Sequence, residues 1–400
     1  MTSSPTNRVL ILSIALGALA WVMLWFSTNP RAGWDSLVYH KYAFEYAGLP
    51  SGEQDALSWE IYDRYGSTEG VLYVTAALNG EPWNFDLAPE RERWGLQYRM
   101  RPAYPALVAA AYPLLGARAP MAVSALAVVL FVATTSVGLF MLAGLRVAII
   151  ATGLGIFNVL LTGWLVILTP DGLAISLWAV ALTAGALWIE QRKVVWLAVV
   201  GVAVLALCLT RPIGLLTPAV FGLCALGAGI VRAPEWRLFA AATVIAAVPA
   251  VAVSVGFSMA GFPGFWDLMQ DLPTGHFATP DVENPLGWIL SADLGLLTQT
   301  MPVGLLARPL VLGVVVGGVG GLLLSRQWWV APFLAALPVV VLSFLLHPSA
   351  SELDRTLAPA WITIHTGLAL LVVVGLIRWR PRILAIADRF TQPDPSVQAP

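Results

Sequence analysis

Charge is what this sequence has least of. Only 11% of its 400 residues are Asp, Glu, Lys or Arg, 58% are hydrophobic, and the mean hydropathy is +0.78. So little polar surface excludes a water-soluble globule. Lysine occurs only at Lys41 and Lys193, the other cations being arginine, a skew we read as the codon bias of a GC-rich bacterial genome. Nothing in the chain has the basic composition of a nucleic-acid binder. Its two cysteines, Cys208 and Cys224, fall inside apolar runs at different depths. A disulfide is thereby disfavoured, and both read as small buried hydrophobes. The histidines and thiols show no metal-ligand spacing, and no Gly-rich loop is present to cradle a nucleotide. There is no internal repeat, no heptad array and no low-complexity tract.

What is present is apolar length. Runs long enough to cross a bilayer lie at 9–28, 119–143, 147–168, 171–189, 194–210, 212–231, 238–258, 303–325, 328–347 and 357–377. The first is too long for a signal-peptide core and is expected to stay as an anchor. An eleventh stretch, 102–116, is short and opens Arg101-Pro-Ala-Tyr-Pro. If it crossed, most arginines of the short loops would move to the outer side. The positive-inside rule therefore selects ten spans with both ends cytoplasmic, and makes 102–116 a juxtamembrane or re-entrant helix. The expected fold is an all-α polytopic membrane protein, one integral module over 1–391. It has outer segments at 29–101 and 259–302 and a disordered cytoplasmic tail at 392–400.

A few ionisable residues are stranded at the outer face of this topology. Asp35 follows the first span and heads a segment in which Asp35, Tyr39, Tyr42 and Tyr46 share one helical face. The tyrosines read as an interfacial anchor or as cleft residues, and Asp35 as a helix N-cap or a general base. Asp171, in Thr-Pro-Asp-Gly, opens a span; it is either a routine first-turn acid or a second acid that orients an acceptor or a metal. Arg211, in Thr-Arg-Pro-Ile-Gly, lies at a helix N-terminal end, where the macrodipole disfavours a cation and an anion is called for. A lipid phosphate suits a guanidinium there, unless the side chain merely snorkels to headgroups. Arg355 repeats the pattern before the last span, with Glu352 and Asp354 as possible local partners. Arg99, Arg101 and Tyr104, at the mouth of the short helix, are further cleft candidates, as are His40 and His276. His365, in the last span, reads as a hydrogen-bonded packing residue.

In combination these features resemble the C-type glycosyltransferase superfamily, which includes the protein O-mannosyltransferases and the aminoarabinose transferases of lipid A. The resemblance spans about 9–377. It rests on Asp35 after the first span, the Pro-Tyr-Pro segment of Arg101, Pro102, Tyr104 and Pro105, and Asp171 opening a later span. Arg211 in its turn, and Glu352, Arg355 and Pro359 before the last span, complete it. Three features depart from the family pattern. Asp35 is followed by Ser36 where many relatives have two acids, Arg211 stands where lysine is frequent, and the C-terminal soluble domain of longer members is missing.

The resemblance implies a glycosyltransferase of the bacterial inner membrane, with its site extracytoplasmic. Its donor would be a polyprenyl-phosphate sugar and its acceptor a glycan, lipid or protein hydroxyl. It further implies Asp35 as base, Arg211 and Arg355 on the donor phosphate, and inversion at the anomeric carbon. Metal use, including a divalent cation beside the acids, stays open. The rival expectations are a lipid-linked-sugar flippase or transporter, an O-antigen-ligase type transferase and a non-catalytic assembly partner.

Overall fold

The computed structural model describes residues 5–28, 31–67, 92–274, 279–296, 298, 309–347 and 353–391. Among them there is no strand, and the fold is all-α. Helix α1 (Pro5–Ser27) is followed by three helices outside the apolar runs, α2 (Trp34–Tyr46), α3 (Ser51–Tyr65) and α4 (Glu92–Arg99). Next come α5 (Ala103–Leu115), α6 (Ala119–Ala143), α7 (Leu145–Phe157), α8 (Val159–Val166) and α9 (Pro170–Gln191). The chain continues through α10 (Val194–Cys208), α11 (Ile213–Ile230), α12 (Trp236–Met259), the single turn α13 (Phe265–Leu268) and α14 (Pro285–Gly295). It ends with α15 (Pro309–Ser325), α16 (Ala331–Leu345), α17 (Leu353–Leu357) and α18 (Ala360–Thr391).

Among the described residues seven helices are long and apolar enough to cross a membrane, so the protein is a polytopic membrane protein. All ten expected runs are helical where described, but three depart from a simple span. The run at 147–168 is broken: α7 and α8 meet at Asn158 with a 73° bend. Helix α10 and, among the described residues, the apolar part of α15 are shorter than a standard crossing. Stretch 102–116 is not separate from the following span. Helical state continues from Ala103 to Ala143, 41 residues, through a 3₁₀ turn at Gly116–Arg118. Gly116 carries a positive φ of 54° at that joint, a conformation glycine adopts without strain.

The expected outer segment 29–101 is largely helical where described. Helix α2 packs on α3 and α5, and Tyr39 and Tyr42 are buried there rather than anchored at a lipid interface. Only Tyr46 on that face is exposed.

Helix α9 is the centre of the bundle. It is apolar on all sides, as a core helix must be, and nearly its whole length is buried against α6, α8, α10 and the start of α16. Lipid is as apolar as leucine, so close approach rather than water exclusion drives this packing. Gly172 shows the device. A Cβ there would collide with the Leu165 carbonyl, and its absence lets α8 lie against the first turn of α9.

The bend between α7 and α8 has a specific brace. Asn158 caps α8 by accepting from Leu160 N at 2.9 Å. Its amide nitrogen donates to His365 Nε2 on α18 at 3.0 Å, and the ring of His365 stacks on Trp361. His365 is thus the hydrogen-bonded packing residue expected. His276, Glu352 and the tail at 392–400 lie outside the described residues.

Candidate functional site

Two backbone hydrogen bonds bring the relevant connectors together. Leu168 N donates to Arg31 O at 2.7 Å, which sets the approach to α9 beside the approach to α2. Ala103 N donates to Leu209 O at 3.0 Å, which sets the start of α5 beside the turn between α10 and α11. Asp35, Asp171, Arg101 and Arg211 therefore come from connectors that touch, and α17 carries Arg355 into their midst.

Asp35 is the second residue of α2. The cap is Gly33, whose N–H donates to the Ser36 hydroxyl at 3.1 Å, so the N-cap reading of Asp35 is set aside. Freed from capping, its carboxylate accepts from Tyr98 Oη at 2.8 Å on one oxygen and from Arg355 Nη2 at 2.5 Å on the other. Asp171 is the second residue of α9. It accepts from Arg211 Nη2 at 2.5 Å, from Arg355 Nε and Nη2 at 3.0 Å each, and from the Thr169 hydroxyl at 2.6 Å. Both acids sit in the first turn of a helix, where the macrodipole favours negative charge.

Arg355 is the hub. Its guanidinium grips Asp171 in a bidentate fork, reaches Asp35 through the same Nη2, and lies 5.7 Å from the ring centroid of Trp164 on α8. Of the two local partners offered by the sequence, Asp354 is exposed and Glu352 lies outside the described residues. Arg211 corrects an expectation. It precedes α11 but also follows the C-terminus of α10, with its N–H bonded to Leu207 O, and that end of a helix favours a cation. Its position does not by itself demand a lipid anion, since Asp171 supplies one. Its Nε is buried with no hydrogen-bond partner.

A second, mostly neutral layer adjoins the ionic one. Arg101 Nη1 donates to Tyr39 Oη at 2.6 Å, and its guanidinium lies 5.7 Å from the Tyr98 ring centroid. Tyr39 packs edge-on against both Tyr98 and Tyr104. His40 Nε2 is 3.3 Å from Tyr104 Oη, and the two rings stack. Burial holds His40 down at about 3, so it is neutral at ordinary pH.

Burial alone would push the Asp35 carboxyl up. The charges of Arg355 and Arg211 and the hydrogen bonds from Arg355 and Tyr98 outweigh it and hold the group below the usual carboxylate range. Burial and the neighbouring Asp35 charge push the Tyr98 phenol well above its ordinary value, so it stays protonated and donates to Asp35.

Of the residues singled out in the sequence, Asp35, Asp171, Arg211, Arg355, Tyr39, His40, Arg101 and Tyr104 thus form one connected assembly. Arg99 stands apart, in a partly exposed pair with Glu45. Sequence reading missed Tyr98, Thr169 and Trp164. The first two had a signal, since Tyr98 lies one helical turn before Arg101 and Thr169 two residues before Asp171. Trp164 had none.

The donor set does not suit a divalent cation. Two guanidiniums already hold the Asp171 oxygens and one holds Asp35, and a dication on either carboxylate would face their positive charge at close range. No cluster of three acidic, histidine or cysteine ligands occurs among the described residues. Compared with models of known families, with curated proteins and with solved structures, the chain matches none.

Proposed function

We propose that this protein is a membrane glycosyltransferase similar to the C-type superfamily. It would transfer a sugar from a polyprenyl-phosphate donor to an acceptor hydroxyl at the extracytoplasmic face of a bacterial inner membrane. One observation carries the reading: two arginines and two acids from four distant connectors share one buried cluster where apolar helices begin and end. Guanidiniums held together at such a boundary are suited to an added anion. A polyprenyl phosphate keeps its tail in the bilayer and offers such an anion at the boundary.

In the proposed step the acceptor hydroxyl gives its proton to Asp35 as its oxygen bonds to the anomeric carbon. The bond from that carbon to the phosphate oxygen breaks, and its electron pair leaves with the polyprenyl phosphate. Arg211 and Arg355 stabilise the second negative charge that develops there. Displacement from the opposite face inverts the anomeric centre. Asp171, bound by two arginines and Thr169, positions the guanidiniums and has no free oxygen for proton transfer.

The test is transfer by purified protein from synthetic polyprenyl-phosphate mannose, arabinose and glucose, with product anomers read by NMR. Turnover is expected with one donor, with inversion, and its loss in Asp35→Asn. Arg211→Ala is expected to weaken donor binding by about 2 kcal/mol. Full activity of Asp35→Asn removes that residue from the chemistry.

One observation favours a second reading as a flippase or transporter: the span broken at Asn158 and braced by His365, since transporters use interrupted helices. Transport of labelled polyprenyl-linked sugar in liposomes that persists in Asp35→Ala would select it.

A further inference from the structure

The same carboxylate that the transfer needs as a base is tied to the same guanidinium that the donor phosphate needs. The two acids are tied unequally. Asp171 has four hydrogen bonds, from Arg211, Thr169 and both arms of the Arg355 fork, and its side chain is 9% exposed. Asp35 has one bond to Arg355, through an Nη2 already given to Asp171, and its side chain is 20% exposed. Its other oxygen is held at 2.8 Å by Tyr98. An incoming phosphate thus meets one firmly fixed carboxylate and one exchangeable one, and the exchangeable one has a second holder waiting.

We propose that Asp35 is a tethered competitor for the phosphate site on Arg355, displaced when a lipid-borne phosphate binds, and that Tyr98 is the positioning residue that retains it. Asp171 stays in place and keeps Arg355 and Arg211 aligned. Displacement takes Arg355 away from Asp35, which relieves the strongest attraction holding its proton affinity down. The base is thereby armed only after the donor has arrived, and binding is ordered, donor before acceptor. Tyr98 keeps the freed carboxylate from following Arg355.

This rests on the anion site proposed above, yet its test needs no turnover. Binding of polyprenyl phosphate in detergent micelles is measured for the wild type, Asp35→Asn, Asp35→Ser, Tyr98→Phe and the Asp35→Asn/Tyr98→Phe double variant, each checked for a normal melting transition. Removing the competitor is expected to tighten binding about fivefold or more in Asp35→Asn and Asp35→Ser. Tyr98→Phe is expected to weaken binding about threefold in the wild-type background and to change nothing once Asp35 is Asn. A merely structural role for Tyr98 would weaken both backgrounds alike, and that result overturns its assignment. Equal or weaker binding by both Asp35 variants overturns the competition. Inorganic phosphate should give the same ranking at lower affinity, because the exchange is at the headgroup; a ranking seen only with the lipid overturns that.

The failures are distinguishable. Sugar transfer without the competition leaves the transferase and removes the exchange. Competition without transfer from any donor does the reverse, and a wild type that binds no polyprenyl phosphate ends both.

Discussion

Two places in this molecule bring segments far apart in sequence into direct contact, and they do so by opposite means. At the crossing of α15 and α18 there is nothing between the backbones. A Cβ on Gly321 would overlap the Gly367 carbonyl, one on Gly367 would overlap the Gly318 carbonyl, and one on Gly318 would stand 2.7 Å from Ile364 O. In the ionic cluster the contact is made entirely by side chains, and each charge is held by opposite charges. The first contact has one solution, because backbone cannot be exchanged for anything else. The second has several, because any anion can compete for a guanidinium. Where lipid supplies no hydrophobic drive between helices, rigidity comes from close approach, and exchangeable chemistry is left to buried charge. The two are connected: the glycine crossing fixes α18, and α18 follows directly on the short helix that carries Arg355.

The comparison breaks most visibly if the glycine crossing tolerates bulk. Gly321→Leu is expected to abolish monodisperse folded protein, read by size exclusion in detergent, because neither backbone can move aside. Survival with an unchanged melting temperature would show that the crossing does not set the position of α18. Next in size is Asp171→Ala. It removes the carboxylate that Arg211 and Arg355 share in a buried site, at a cost of about 3–5 kcal/mol by denaturant unfolding. Asp35→Ala should cost less, since its side chain is more exposed and Arg355 keeps Asp171.

The smallest effect separates the ionic layer from the neutral layer beside it. His40 is held at about 3 in the folded protein against about 6.5 unfolded. Its neutral form is the folded one, so its contribution to stability is whole above pH 6.5 and is lost progressively as pH falls toward 3. Between pH 7 and pH 5 this amounts to about 2 kcal/mol, and His40→Gln should flatten that part of the melting-temperature profile. Asp35 is held below its unfolded value. Its contribution is therefore present above about pH 4 and is lost only below that, so the ionic layer should add no slope in the His40 window. A slope between pH 7 and 5 that disappears in Asp35→Asn rather than His40→Gln would reverse this assignment.

Apolar periodicity and length made the helices legible, and the scarcity of charge made each stranded acid and arginine conspicuous. Yet the break at Asn158 was hidden, because one asparagine barely alters the hydropathy of a twenty-residue run. The partners of the stranded residues were hidden too. Arg355 has acids three and one residues before it in sequence, and nothing local announces that it also reaches Asp35 and Asp171, which lie 320 and 184 residues away. Arg211 looked misplaced only while the helix before it was left out of account.

By itself, then, the sequence determined that the chain is a bundle of membrane helices and which polar residues that bundle cannot dissolve in lipid. Transfer cost is a property of each side chain and its neighbours along the chain, and it can be summed locally. Only the tertiary structure decided which of those residues meet, which carboxylate is pinned and which can be exchanged. Pairing depends on distances of 2.5–3.0 Å between groups from separate helices. Those distances are set by glycine crossings and connector hydrogen bonds that no local pattern encodes.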